Sequence, residues 1–120
     1  MFEIEFYEDK NGKSEVYEYI QQLRKNMSKE NRQKLKKIDM YIDLLAQEGF
    51  NLKEPYIKKL DCEIWELRPL RDRILFSAYY NSKFILLCIF MKQTQRTPRK
   101  EIEKAKMLLK DYKDRSEKNE

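Results

Sequence analysis

The sequence predicts a mixed α/β fold of the α+β type: a small antiparallel-rich sheet packed on an N-terminal helical hairpin, with a further helix at the C-terminus. Three observations carry this. Apolar residues alternate with period two at the start of the chain, and strand-like apolar runs return between Ile64 and Met91. Helix-spaced apolar stripes fill the segment from Val16 to Leu45 and resume at Ile102. Asn11-Gly12, Pro69 with Asp72, and Asn81-Ser82 punctuate the runs as turns.

In chain order, Phe2-Glu3-Ile4-Glu5-Phe6-Tyr7 reads as a strand with one buried face, placed at a sheet edge. Val16, Tyr19, Ile20 and Leu23 align on one side of a helix that runs to about Asn26. Ser28 is the expected N-cap of a second helix, whose stripe is Leu35, Ile38, Tyr41, Ile42 and Leu45 and whose stop is Gly49. Joined so closely, the two helices form an antiparallel hairpin that needs a sheet as cover. Lys58 and Lys59 lead into the run Ile64-Trp65-Glu66-Leu67, in which Trp65 and Leu67 face one way and Glu66 and Arg68 the other. The next strand sets Arg73, Leu75 and Ser77 against Ile74, Phe76 and Ala78, and Phe84 to Met91 reads as a central strand covered on both faces. Thr97-Pro98 is the expected N-cap and first position of the last helix, and residues 113–120 are expected to fray into solvent.

A chain of 120 residues supports one domain with a single modest core. No apolar run reaches the roughly 18–20 residues of a membrane span, and the N-terminus lacks the pattern of a signal peptide, so a cytoplasmic location is expected. With no histidine, imidazole chemistry is excluded. Cys62 and Cys88 are read as small packing residues. No paired-acid motif or glycine-rich phosphate loop is present, which argues against a metal or nucleotide cofactor.

Charge is distributed unevenly. Residues 57–100 carry ten Lys and Arg against four Asp and Glu, whereas the whole chain has a net charge of only +5, so the excess belongs to the sheet region and points to an anionic partner. Arg68, Arg71, Arg73 and Lys92 converge at one end of the expected sheet. Guanidinium forks hold phosphate oxygens, and a lysine among cations can move a proton. Phe90, on the face of Lys92, offers a plate for a base. The residues alone leave a second reading open, in which these arginines are surface ion pairs with Glu66. Lys36 and Lys37 are a solvated helix face or rim contacts to nucleic acid.

The segments Trp65-Glu66-Leu67-Arg68-Pro69, Arg73-Ile74-Leu75-Phe76 and Phe90 to Pro98, with Glu101, Ile102 and Ala105, resemble the phage-derived HigB branch of the RelE/ParE toxins of toxin–antitoxin systems. Gly49, Leu52, Pro55, Lys58 and Leu60 extend the resemblance upstream. It implies a RelE-like fold and an endoribonuclease that cuts messenger RNA on the ribosome without a cofactor, restrained by a HigA-like helix-turn-helix antitoxin in a hetero-oligomer. It also implies Arg68, Arg73 and Lys92 as catalytic residues around the scissile phosphate, with Arg71 an addition; Phe90, Gln93, Thr94, Arg96, Lys36 and Lys37 are further expected contacts to RNA. Gln93 stands where many relatives have a second lysine. Relatives of the ParE branch inhibit DNA gyrase, so a gyrase inhibitor and a non-enzymatic RNA-binding module are the alternatives.

Overall fold

The alternation at the N-terminus forms strand β1 (Glu3–Phe6) in the computed structural model, which describes residues 1–80 and 82–118. Helix α1 (Glu15–Lys25) follows, its N-cap Ser14 accepting a hydrogen bond from the Tyr17 amide at 3.1 Å. Ser28 caps α2 (Lys29–Glu48) through the Asn31 amide, also at 3.1 Å. Gly49 ends α2 with φ of 58°, a conformation that favours glycine. A Cβ there would also lie 2.5 Å from the Phe2 ring, so both backbone and packing demand glycine.

A short 3-10 turn leads to β2 (Ile57–Lys59), β3 (Trp65–Leu67), β4 (Asp72–Tyr79) and β5 (Lys83–Met91), and α3 (Arg99–Lys118) closes the chain. The sheet order is β1-β5-β4-β3-β2, with β1 parallel to β5 and every other pair antiparallel. β1 is an edge strand and β5 an inner one, as their patterns required. The turn expected at Asn81-Ser82 includes Asn81, which lies outside the described residues.

The sheet separates two apolar layers. Ile74, Phe76, Phe84, Leu86 and Ile89 pack with Val16, Ile38 and Leu45 of the hairpin, while Leu75, Ile85, Leu87 and Cys88 pack with Ala105, Leu109 and Tyr112 of α3. A β-bulge makes this division possible. Leu75 pairs with Cys88 but Phe76 with Leu86, so Leu87 is the extra residue, and Leu87 and Cys88 both turn toward α3.

Four expectations change. β2 was read only as a lead-in. Cys62 is exposed rather than packed, whereas Cys88 is buried and its thiol is pushed up to about 12 by that burial. The last helix starts at Arg99, and Thr97 gives its hydroxyl to Glu66 instead of capping. Residues 113–118 continue α3 in place of fraying, because Lys113 bonds Glu63 at 2.5 Å and Arg115 bonds Asp111 at 3.0 Å. Residues 119 and 120 lie outside the described residues.

Candidate functional site

Strand alternation delivers the side chains of the site to one face. Glu66 and Leu75 are cross-strand partners, as are Arg73 and Phe90, so these four share the face that α3 covers. α3 begins only at Arg99, leaving the end of this face open beside residues 92–98. The result is a groove of about 730 Å³. Of the residues expected to form a site, Arg68, Arg73, Phe90, Lys92, Gln93, Thr94 and Arg96 line it.

Arg71 stands just outside. Its guanidinium donates to the Lys92 carbonyl at 2.9 Å and its carbonyl accepts the Lys92 amide at 2.7 Å, so it braces the backbone of Lys92. Lys36 and Lys37 lie on α2, which packs on the opposite face of the sheet, and neither lines the groove. Thr97, which reads from sequence as a helix cap, and Lys58 and Lys59, which read as a lead-in to a strand, also line it. Lys58 stands directly opposite Glu66 in the β2–β3 register, a relation available only once β2 is recognised as a strand.

Among the described residues, seven cationic side chains and a single carboxylate, Glu66, line the groove, which gives it an excess of positive charge. Arg99 is engaged by Asp61 at 3.4 Å and Glu103 at 2.8 Å. Lys58, Lys59, Lys92 and Arg96 have no ion-pair partner among the described residues, so their charge is available to a ligand. Lys59 also lies 5.9 Å from the centre of the Trp65 ring.

Arg73 is the most constrained of these cations. It is 6% exposed, and its Nη1 donates to the carbonyls of Leu70 at 2.8 Å and Asp72 at 2.9 Å. Leu70 reaches it through a left-handed backbone with φ of 56°, unusual for a residue with a Cβ, in a turn closed by the Asp72 amide on Pro69. Burial lowers the Arg73 pKa from the usual arginine range, and the Glu66 carboxylate works against that. Among the described residues Nη2 makes no hydrogen bond, which leaves half of the fork for a ligand.

Glu66 is 3% exposed. Its Oε1 accepts the Thr97 hydroxyl at 2.5 Å, and its Oε2 lies 3.5 Å from Nε of Arg68 and 4.0 Å from Nε of Arg73. The expected ion pairs are therefore present but loose. Arg68 also faces Glu54 at 3.8 Å.

Among the described residues, no group of three Cys, Asp or Glu side chains is placed to hold a metal ion, and no helix is long and apolar enough to cross a membrane. Fold and groove together define a small α+β protein with a cation-lined groove at one end of its sheet. Residues 25–110 match the family described as Phage derived protein Gp49-like (DUF891), and the chain belongs to that family, which is related to the RelE/HigB-type toxins. No curated protein matches the chain.

Proposed function

We propose that this protein is the toxin of a toxin–antitoxin system, acting in the cytoplasm as a ribosome-dependent endoribonuclease that halts translation. The observation that carries this reading is the groove itself: Arg68, Arg73 and Lys92 meet beside Phe90, around a space sized for a nucleotide. The 2′-hydroxyl of the RNA attacks the adjacent phosphorus, and the 5′-oxygen leaves. Charge on the pentacoordinate phosphate is met by Arg73 and Arg68, and Lys92 supplies electrostatic activation or proton transfer. Phe90 stacks on a base, while Gln93, Thr94 and Arg96 hold the strand along residues 92–98. An isolated RNA makes few contacts with so small a groove, which is why a ribosome is needed to present the message.

A HigA-like helix-turn-helix antitoxin restrains the enzyme, by covering the cation groove or by adding bulk that blocks entry to the ribosome. The test is expression in a translating extract with and without the product of the neighbouring gene. The toxin reading requires cut messages that disappear when the partner is present. Blocked supercoiling with intact messages would replace it by gyrase inhibition, and binding to RNA without either effect would leave a binding module.

A further inference from the structure

We infer that Glu66 is the general base of the groove, the group that takes the proton from the attacking hydroxyl. The inference rests on the endoribonuclease reading and deepens it. The chain has no histidine, and among the described residues the groove is lined by no tyrosine and by Glu66 as its only carboxylate. Every other titratable group of the wall is a lysine or an arginine, which must first lose a proton before it can accept one.

The way Glu66 is held separates a working carboxylate from a structural one. A buried acid kept for an ion pair makes charge-assisted hydrogen bonds of about 2.7–2.9 Å. Oε2 of Glu66 has no such bond, since Arg68 and Arg73 stand off at 3.5 and 4.0 Å and Arg73 spends Nη1 on two backbone carbonyls instead. Glu66 lines the groove, and Oε2 is its oxygen without a short hydrogen bond among the described residues. Oε1 is fixed by the Thr97 hydroxyl, which sets the plane of the carboxylate while leaving the second oxygen for the substrate. Arg68 and Arg73 both lie within 4.0 Å of Oε2, so a phosphate held by them would sit beside this oxygen.

In the reaction, Oε2 removes the 2′-hydroxyl proton as that oxygen bonds to phosphorus. The bond from phosphorus to the 5′-oxygen breaks, and the leaving oxygen takes a proton from the Lys92 ammonium. The products are a 2′,3′-cyclic phosphate and a 5′-hydroxyl; Glu66 ends protonated and Lys92 neutral until solvent restores both.

The experiment is single-turnover cleavage of a message on programmed ribosomes by the parent protein, Glu66→Gln and Glu66→Ala, with ribosome binding and thermal melting measured alongside. The parent must cut the message and must fail on one carrying a 2′-deoxy sugar at the scissile nucleotide. Glu66→Gln must bind ribosomes as the parent does and cut about 100-fold more slowly or worse. Formate, acetate and propionate added to Glu66→Ala must restore cleavage in increasing order of their basicity. Restoration that ignores basicity means the acid only refills a salt bridge, and it overturns the inference. So does a folded Glu66→Gln that cuts at the parent rate. Should that variant unfold, the added-carboxylate series on the folded fraction of Glu66→Ala decides alone. A parent that leaves ribosome-bound messages intact removes the nuclease reading itself, a result distinct from losing the base.

Discussion

Two carboxylates, Glu66 and Asp72, are equally hidden from solvent, at 3% and 1% exposure, yet they sit on opposite faces of the same end of the sheet. Asp72 points toward the hairpin, where Oδ1 accepts the Tyr19 hydroxyl at 2.6 Å and faces the Lys34 ammonium at 3.7 Å. Its Oδ2 is enclosed without a hydrogen bond among the described residues. Glu66 likewise has one oxygen held and one without a hydrogen bond among the described residues, but Glu66 lines the groove. The difference teaches that burial and charge alone do not tell two acids apart; what lies beside each carboxylate does. On the hairpin side the carboxylate locks helices to strand, and on the α3 side it is held ready for something that arrives.

The largest effect separating the two sides belongs to the groove. Arg73→Ala is expected to lower single-turnover cleavage by about a hundredfold or more, a loss of roughly 2.7–4 kcal/mol of transition-state stabilisation, with ribosome binding nearly intact. Arg73→Lys is impaired as well, because an ammonium cannot reproduce a planar fork. Folded variants that cut at the parent rate would reduce the groove to a docking surface. Asp72→Ala reverses the pattern: stability falls by about 1–3 kcal/mol as Tyr19 and Lys34 lose their acceptor, read from the urea midpoint at constant slope. Cleavage per folded molecule stays at the parent level, and a rate loss without a stability loss would erase the contrast.

Alkaline pH sharpens the same comparison. Burial, and then the Asp72 carboxylate, hold the Tyr19 hydroxyl well above its usual range. Above about pH 10 the unfolded chain releases this proton while the folded one keeps it. The stability tied to the pair is therefore full below that pH and lost as pH rises beyond it. The melting temperature of Tyr19→Phe should fall less steeply between pH 9 and 11 than that of the parent, whereas Glu66→Gln should follow the parent. The smallest effect is on the hairpin's outer surface: Lys36→Ala or Lys37→Ala should weaken ribosome association modestly, mainly through a shallower salt dependence. A hundredfold loss of cleavage there would move the site to the other face.

What the sequence disclosed follows from which interactions are local. Alternation in Glu3 to Phe6, the caps at Ser28 and Gly49, and the opposed faces of Trp65 and Glu66 all depend on neighbours a few residues away. The convergence of Arg68, Arg73 and Lys92 was legible because hairpin pairing carries strand ends to a common edge. β2 was not, since three residues give no period and its identity comes from the partner that sets Lys58 opposite Glu66. Thr97 carries the local code of a cap, and no local rule could name an acceptor 31 positions away. The last turns of α3 likewise gain a contact no local rule names, Lys113 bonding Glu63 fifty positions away. Lys36 and Lys37 look like any basic doublet until the packing of α2 assigns them a side.

The bulge at Leu87 has a consequence for how this chain tolerates change. Before it, the even-numbered Phe84 and Leu86 face the hairpin, and an unbroken count would send Phe90 and Lys92 the same way. The extra residue shifts the count by one, so the plate and the lysine land in the groove. Leu87 thus acts as punctuation in a frame of two: without it Leu86 and Cys88 would alternate regularly, with Ile89 still toward the hairpin and Phe90 still on the groove face. Substitution along β5, or loss of the bulge residue itself, leaves this frame intact, but one residue added in regular alternation between Cys88 and Phe90 would turn Phe90 and Lys92 to the other side of the protein.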